Sequence, residues 1–298
     1  MINTTYNPVT SKLKNGASSL VANVLCWALS ITCIAPVIWM IYSSLKTDKE
    51  FALDILALPE SPQWGNYVKA FIAGNMGTYA VNSLLNSVLT TVLTLLLAFT
   101  IGYCLSRFHF RGRNAIYFLF MAGMLIPIYA LLLPIFIEFK YMHLVNKVFT
   151  LLLPYIAFAL PMAIFLVESY VRGIPVELEE ASYIDGCSHV RSMFSIIMPV
   201  CKPVLATSAI LTFLNTWNEF PLALVLISNN KYKTVPIGLT YFRGAYATSY
   251  VLLFAALTIA SIPVIVIYLC FYNQIMKGMV AGAVKGWGRR RPTWKNRR

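Results

Sequence analysis

Hydrophobic residues gather into six long runs, at about 20–42, 84–106, 115–137, 148–171, 204–228 and 250–274, with polar stretches between them. A helix rising about 1.5 Å per residue needs about 20 residues to cross roughly 30 Å of hydrocarbon. Each run meets that length, so the pattern predicts an all-α membrane protein with six transmembrane helices. Prolines interrupt several runs (Pro36, Pro127, Pro134, Pro154, Pro161 and Pro263). Membrane helices tolerate them where neighbours and water satisfy the freed carbonyls. The first run is too long for the apolar core of a signal peptide, and no small-residue cleavage site follows it; it is expected to remain as an anchor.

Composition agrees. Apolar residues make up 58% of the 298 and charged residues only 12%, against roughly 25% charged in soluble domains. The net charge of +13 would point to nucleic acid in a soluble chain. Here the basic residues sit between apolar runs, where the positive-inside rule accounts for them, and no nucleic-acid partner is expected. With the N-terminus in the cytoplasm, 16 Lys and Arg fall on inner segments and 8 on outer ones. That asymmetry predicts a multi-pass protein of the prokaryotic plasma membrane with both termini cytoplasmic. The expected organisation is a cytoplasmic segment 1–19, one transmembrane domain 20–286, and a basic cytoplasmic tail 287–298. One inner loop, 172–203, is unusually long. The outer loops of substance are 43–83 and 229–249.

Little in the chain suggests chemistry. The six cysteines are far apart with no C-x-x-C pair, and His109, His143 and His189 are isolated. This speaks against a metal site or an acid–base constellation, so neither catalytic nor metal-binding residues are expected. There is no G-x-x-x-x-G-K-[ST] loop to hold nucleotide phosphates.

The loop 172–203 has a pattern of its own. Pro175 suits the start of a helix, and Glu177, Glu179 and Glu180 then occupy the turn where the helix dipole favours negative charge. Gly186 can terminate that helix in left-handed geometry, and Ser188 can cap a second one over 189–198. The loop is therefore predicted to fold as helix–turn–helix on the inner membrane face. Three glutamates would repel anionic headgroups, which favours a basic protein surface as the partner of the first helix. Its small residues Ala181 and Ser182 permit close approach.

The run Glu180-Ala181-Ser182-Tyr183-Ile184-Asp185-Gly186, then nine residues, then Ile196-Ile197-Met198-Pro199, resembles the EAA motif of ABC importer permeases. Ser182 stands where the usual form has a second alanine, and Met198 where it has leucine. Other stretches are similar to the maltose-type carbohydrate subfamily: Tyr42–Thr47, Asn82-Ser-Leu84, Trp217-Asn-Glu-Phe220 and Ala281–Gly286. The resemblance covers about 20–286 and implies a type I ABC importer permease fold with a cytoplasmic coupling-helix loop. It also implies a second homologous permease, two ATP-binding subunits and an external solute-binding protein as partners. ATP would be bound by those subunits, leaving no cofactor in this chain. Carried over residue by residue, Glu180 would pair with a basic ATPase residue, and Leu178, Ala181 and Ile184 would make the apolar contact. Gly186 would turn the loop into the ATPase cleft. Ser182, Asp185 and Pro199 complete the coupling set. Only the flanking motifs favour sugar, so a polyamine, a phosphate ester or a metal chelate stays open as the solute.

A solute path is expected in the fifth run. Thr212, Asn215 and Glu219 recur with Ser208 on one helical face, and Asn218 is adjacent. Ser83, Ser87, Thr90 and Thr94 form a similar stripe in the second run, for which interhelical hydrogen bonding is the expected use. Glu168, near the inner end of the fourth run, is expected to snorkel or to pair with Arg172.

Overall fold

The computed structural model of the chain describes residues 8–242 and 249–287, and no strand occurs among them. In chain order the helices are α1 (Pro8–Ser43), α2 (Asp48–Leu53), α3 (Gly65–Ala73), α4 (Met76–Arg107), α5 (Arg113–Gly123), α6 (Ile128–Tyr141) and α7 (Leu152–Val171). After them come α8 (Glu177–Ile184), α9 (His189–Val200), α10 (Lys202–Trp217), α11 (Pro221–Leu226), α12 (Val235–Gly238) and α13 (Tyr250–Trp287).

Four segments are long and apolar enough to cross a membrane unbroken: Ala22–Ser43, Met76–Arg107, Leu152–Val171 and Tyr250–Phe271. Two bent pairs, α5 with α6 (99°) and α9 with α10 (76°), complete six crossings if each pair is one span. The runs expected at 115–137 and 204–228 are thus not continuous helices. In the first, the chain leaves the helix after Gly123 and resumes at Ile128. Pro127 has no N–H to give and disfavours helical geometry in the residue before it. In the second, α10 stops at Trp217, and Pro221 restarts the chain as α11. The helix α1 runs from Pro8, and its apolar span, Ala22–Ser43, falls where the first run was expected. The basic tail past Trp287 lies outside the described residues.

The stretch read as one domain falls into two compact units: residues up to Ala70 together with Phe242–Ile259, and the remainder. In the first unit the Tyr42–Thr47 stretch is a polar knot. Lys46 is fully buried, and its Nζ donates to the carbonyls of Asp54 (3.0 Å) and Ile55 (3.1 Å). Asn66 donates to the carbonyls of Ser44 and Lys46, both at 2.9 Å. Thr47 and Glu50 form a reciprocal capping box at the start of α2.

The second unit is built on α4, α7 and α10. At Gly102, α4 and α7 approach closely: a Cβ there would lie 2.9 Å from Val167 Cγ1. Phe99, Tyr103, Val167, Val171, Met193 and Ile197 form a buried cluster that seats the 172–203 loop on this framework. Glu168 is buried and pairs with Arg172, with Arg113 4.0 Å away. The stripe Ser83, Ser87, Thr90 and Thr94 is wholly buried. The expected hydrogen bonds form only at Ser83, whose Oγ accepts from Val235 N (2.9 Å). The hydroxyls of Ser87, Thr90 and Thr94 have no partner among the described residues. The stripe serves mainly as small-residue packing, which lets helix backbones come close.

Candidate functional site

The loop 172–203 folds as the sequence requires. α8 begins after Pro175 with three glutamates in its first turn, where the dipole stabilises them. It ends in a Schellman motif: Cys187 N donates to Ser182 O (2.9 Å) and Gly186 N to Tyr183 O (3.0 Å). Gly186 has φ +81° with open space where a Cβ would stand. Glycine is needed there for backbone conformation, not for room. Ser188 then caps α9 through Arg191 N (3.4 Å). A π-helical turn, Met193–Ile197, carries α9 on to Val200.

α8 has two faces of opposite character. Leu178, Glu180, Ala181, Ile184 and Asp185 are exposed, and Ile184 is 87% accessible. Full burial of such an apolar side chain is worth about 1.5–3 kcal/mol. Gly186 and Pro199 are also exposed. Ser182, expected within the contact surface, instead faces inward at 3% accessibility. It donates to the Glu179 carbonyl (2.7 Å), and its oxygen lies 2.8 Å from Ser192 Oγ, tying α8 to α9.

Glu179, expected with Glu177 and Glu180 to face a basic partner, instead shares that inward face and is 4% accessible. Its Oε1 accepts from Arg107 Nε (2.5 Å) and its Oε2 from the Tyr103 hydroxyl (2.6 Å). Arg107 also donates through Nη2 to the Ile174 carbonyl (3.0 Å). Removing one partner of such a buried pair typically costs about 3–5 kcal/mol, because the other charge is left stranded. The signal was present in the spacing: Glu179 and Ser182 are i and i+3 and lie on one face of a helix.

A second feature is a cavity of about 220 Å³. Ser208, Thr212, Asn215 and Glu219 all line it, as their spacing predicts, together with Tyr155 and Thr216. Asn218 does not; its amide turns back to the Leu214 carbonyl (2.9 Å). Glu219 is heavily engaged. It accepts from the Tyr155 hydroxyl (2.7 Å), from Leu222 N (2.6 Å) and from Ala223 N (3.1 Å). It thereby holds the break between α10 and α11. Asn215, by contrast, makes no side-chain hydrogen bond among the described residues.

Residues 94–280 match the family described as binding-protein-dependent transport system inner membrane component. An ABC transporter permease protein, ORF2, of Caldicellulosiruptor sp. (strain Rt8B.4) is 38% identical over 84% of this chain and 91% of its own length. The sulfoquinovosyl glycerol transport system permease protein of Agrobacterium fabrum is 33% identical over 87% of this chain and 91% of its own length. Among solved structures, a chain of a bacterial ABC transporter involved in the import of the acidic polysaccharide alginate superposes with a TM-score of 0.77. It is 21% identical, and the match covers 91% of this chain and 99% of that one. That likeness places the fold among type I ABC importer permeases. The chain therefore belongs to the family of binding-protein-dependent transport system inner membrane components, the multi-pass membrane permeases of ABC transporters.

Proposed function

We propose that this chain is one of two homologous permeases of a carbohydrate importer, working with two ATP-binding subunits and an external binding protein. Both termini lie in the cytoplasm, and α8 is the helix that enters a cleft on the ATPase. The observation that carries this reading is the division of α8: a bonded inward face fixes the helix, while Glu180, Ala181 and Ile184 stand free for a partner. Glu180 would meet a basic ATPase side chain, with Leu178 and Ile184 supplying the apolar contact. ATP binds to the partner subunits, and this chain needs no cofactor. Carbohydrate is favoured by the flanking motifs Tyr42–Thr47 and Trp217–Phe220 and by the sulfoquinovosyl glycerol relative. In the cavity, Asn215 and Thr212 are the polar groups best placed to meet solute, and Glu219 holds its wall.

Two measurements together test this. A tagged copy of the chain, purified in mild detergent, should bring down a second permease and an ATPase. A strain lacking the gene should lose uptake of one or more oligosaccharides from a radiolabelled panel while retaining uptake of polyamines and phosphate esters. Purification with no ATPase would defeat the importer reading; unchanged sugar uptake with lost polyamine uptake would defeat the choice of solute.

A further inference from the structure

Among the described spans, α4 alone contains no proline. Ala22–Ser43 holds Pro36, Leu152–Val171 holds Pro154 and Pro161, Tyr250–Phe271 holds Pro263, and each bent pair is broken by a sharp turn. Kinks in helices arise mostly at prolines or interrupted hydrogen-bond ladders, and α4 runs unbroken over its 32 residues with no proline to bend it. It is also tied at both ends to other segments. At one end, Tyr103 and Arg107 hold Glu179 of α8, and Arg107 holds the Ile174 carbonyl just ahead of it. At the other, Asn82 Nδ2 donates to the carbonyls of Lys231 and Lys233, both at 2.9 Å, and Ser83 Oγ accepts from Val235 N. From Ser83 to Tyr103 the rod rises about 30 Å, the thickness of the hydrocarbon core.

We infer that α4 is a strut that carries movement of α8 to the 230–235 segment on the opposite membrane face. Its inner joint is the Glu179–Arg107–Tyr103 triad and its outer joint is Asn82 with Ser83. This rests on the reading of α8 as the ATPase-coupling helix and adds the route by which its motion leaves the loop. The triad residues are positioning residues: none need touch ATPase or solute. Two properties suit them to the task. A carboxylate held by both a guanidinium and a phenol, in a site closed to water, fixes direction as well as distance. And the guanidinium grips the loop at two points, so α8 cannot rotate away without breaking both.

The test uses the whole complex in nanodiscs, in a background where the six native cysteines are replaced and a spin label is carried on Asn230→Cys. The probe is AMP-PNP, a non-hydrolysable ATP analogue that occupies the nucleotide sites of the ATPase subunits, added with the loaded binding protein. In the wild-type triad, AMP-PNP should change the label's spectrum. Glu179→Ala and Arg107→Ala should lower complex yield, and the complexes that do assemble should lose that change while keeping basal ATP hydrolysis per complex; the exchanged pair Glu179→Arg with Arg107→Glu should restore part of the change. A merely structural triad would lower yield and hydrolysis together and leave the response of the surviving complexes intact, which would overturn the inference. Where the alanine variants fail to assemble, Glu179→Gln decides. It keeps shape but removes the charge facing Arg107, and a full response there overturns the inference as well. If the wild-type complex itself forms but ignores AMP-PNP, the coupling reading of α8 falls and the strut with it. If the wild type responds and every triad variant responds equally, only the strut falls.

Discussion

Two polar regions of this chain, α8 and the cavity beside α10, use carboxylates in different ways. α8 divides its glutamates between faces: Glu179 is saturated with donors inside the fold, while Glu180 stands free on the surface. The cavity presents its polar groups to one space, yet the carboxylate in its lining, Glu219, is also saturated, while the amide of Asn215 is unbonded among the described residues. At these two sites, then, the charge with a full set of donors holds structure, and the accessible group without them is open to a partner or a solute. A lone charge in the bilayer costs several kcal/mol, so the bonded groups are where a substitution should damage assembly. The free groups are where it should damage only activity.

That distinction can be broken by mutation. Gly186→Pro should have the largest effect, since proline is locked near φ −65° and cannot adopt +81°. The misfit costs about 3 kcal/mol or more at the turn. The protein should still reach the membrane, as an immunoblot would show, but ATP hydrolysis stimulated by the loaded binding protein should fall to its basal level. Glu219→Leu comes next. It strands the Tyr155 hydroxyl and two main-chain N–H groups, at about 1–3 kcal/mol for each buried unsatisfied group. Yield of assembled complex should drop sharply for Leu and stay near normal for Glu219→Gln, which keeps an acceptor. Normal yield with Leu would mean that the carboxylate is not scaffold.

Two smaller effects sharpen the other side of the contrast. Glu180→Lys changes only an exposed side chain, so yield and basal hydrolysis should be untouched. Stimulated hydrolysis should be lost, because like charge would face a basic cleft, and undiminished stimulation would remove Glu180 from the interface. Asn215→Ala should be the mildest. One hydrogen bond to a solute is worth about 0.5–1.5 kcal/mol, so uptake should slow by roughly tenfold or less with no change in yield. An unchanged uptake rate and solute preference would take Asn215 out of the path.

The features legible in the sequence are those set by near neighbours. Pro175, Gly186 and Ser188 mark the two helices of the loop because a helix start, a left-handed turn and a cap are each decided within a few residues. The shared face of Ser208, Thr212 and Asn215 follows from helical spacing alone, and Glu219 joins it from the break after Trp217. What escaped depended on distant partners. Arg107 lies 72 residues before Glu179, and nothing in either neighbourhood names the other. Tyr155 is 64 residues from Glu219, so the carboxylate read as a path residue rather than a bonded wall. The breaks at 124–127 and 218–220 were marked by Pro127 and Pro221. Membrane helices often absorb a proline without stopping, and hydropathy continues across both sites, so composition alone did not separate a kink from an interruption.

Accessibility of α8 decides whether its two faces mean what is proposed. Single cysteines at Ala181, Ser182 and Ile184, in a background lacking the native cysteines, would be exposed to a membrane-impermeant maleimide in inside-out vesicles with and without the ATPase subunit. The predicted result is rapid labelling of Ala181→Cys and Ile184→Cys in stripped vesicles, strong protection of both once the ATPase is restored, and slow labelling of Ser182→Cys throughout. Labelling of Ile184→Cys that is indifferent to the ATPase, or that occurs only from the opposite side of the membrane, would contradict α8 as the coupling helix.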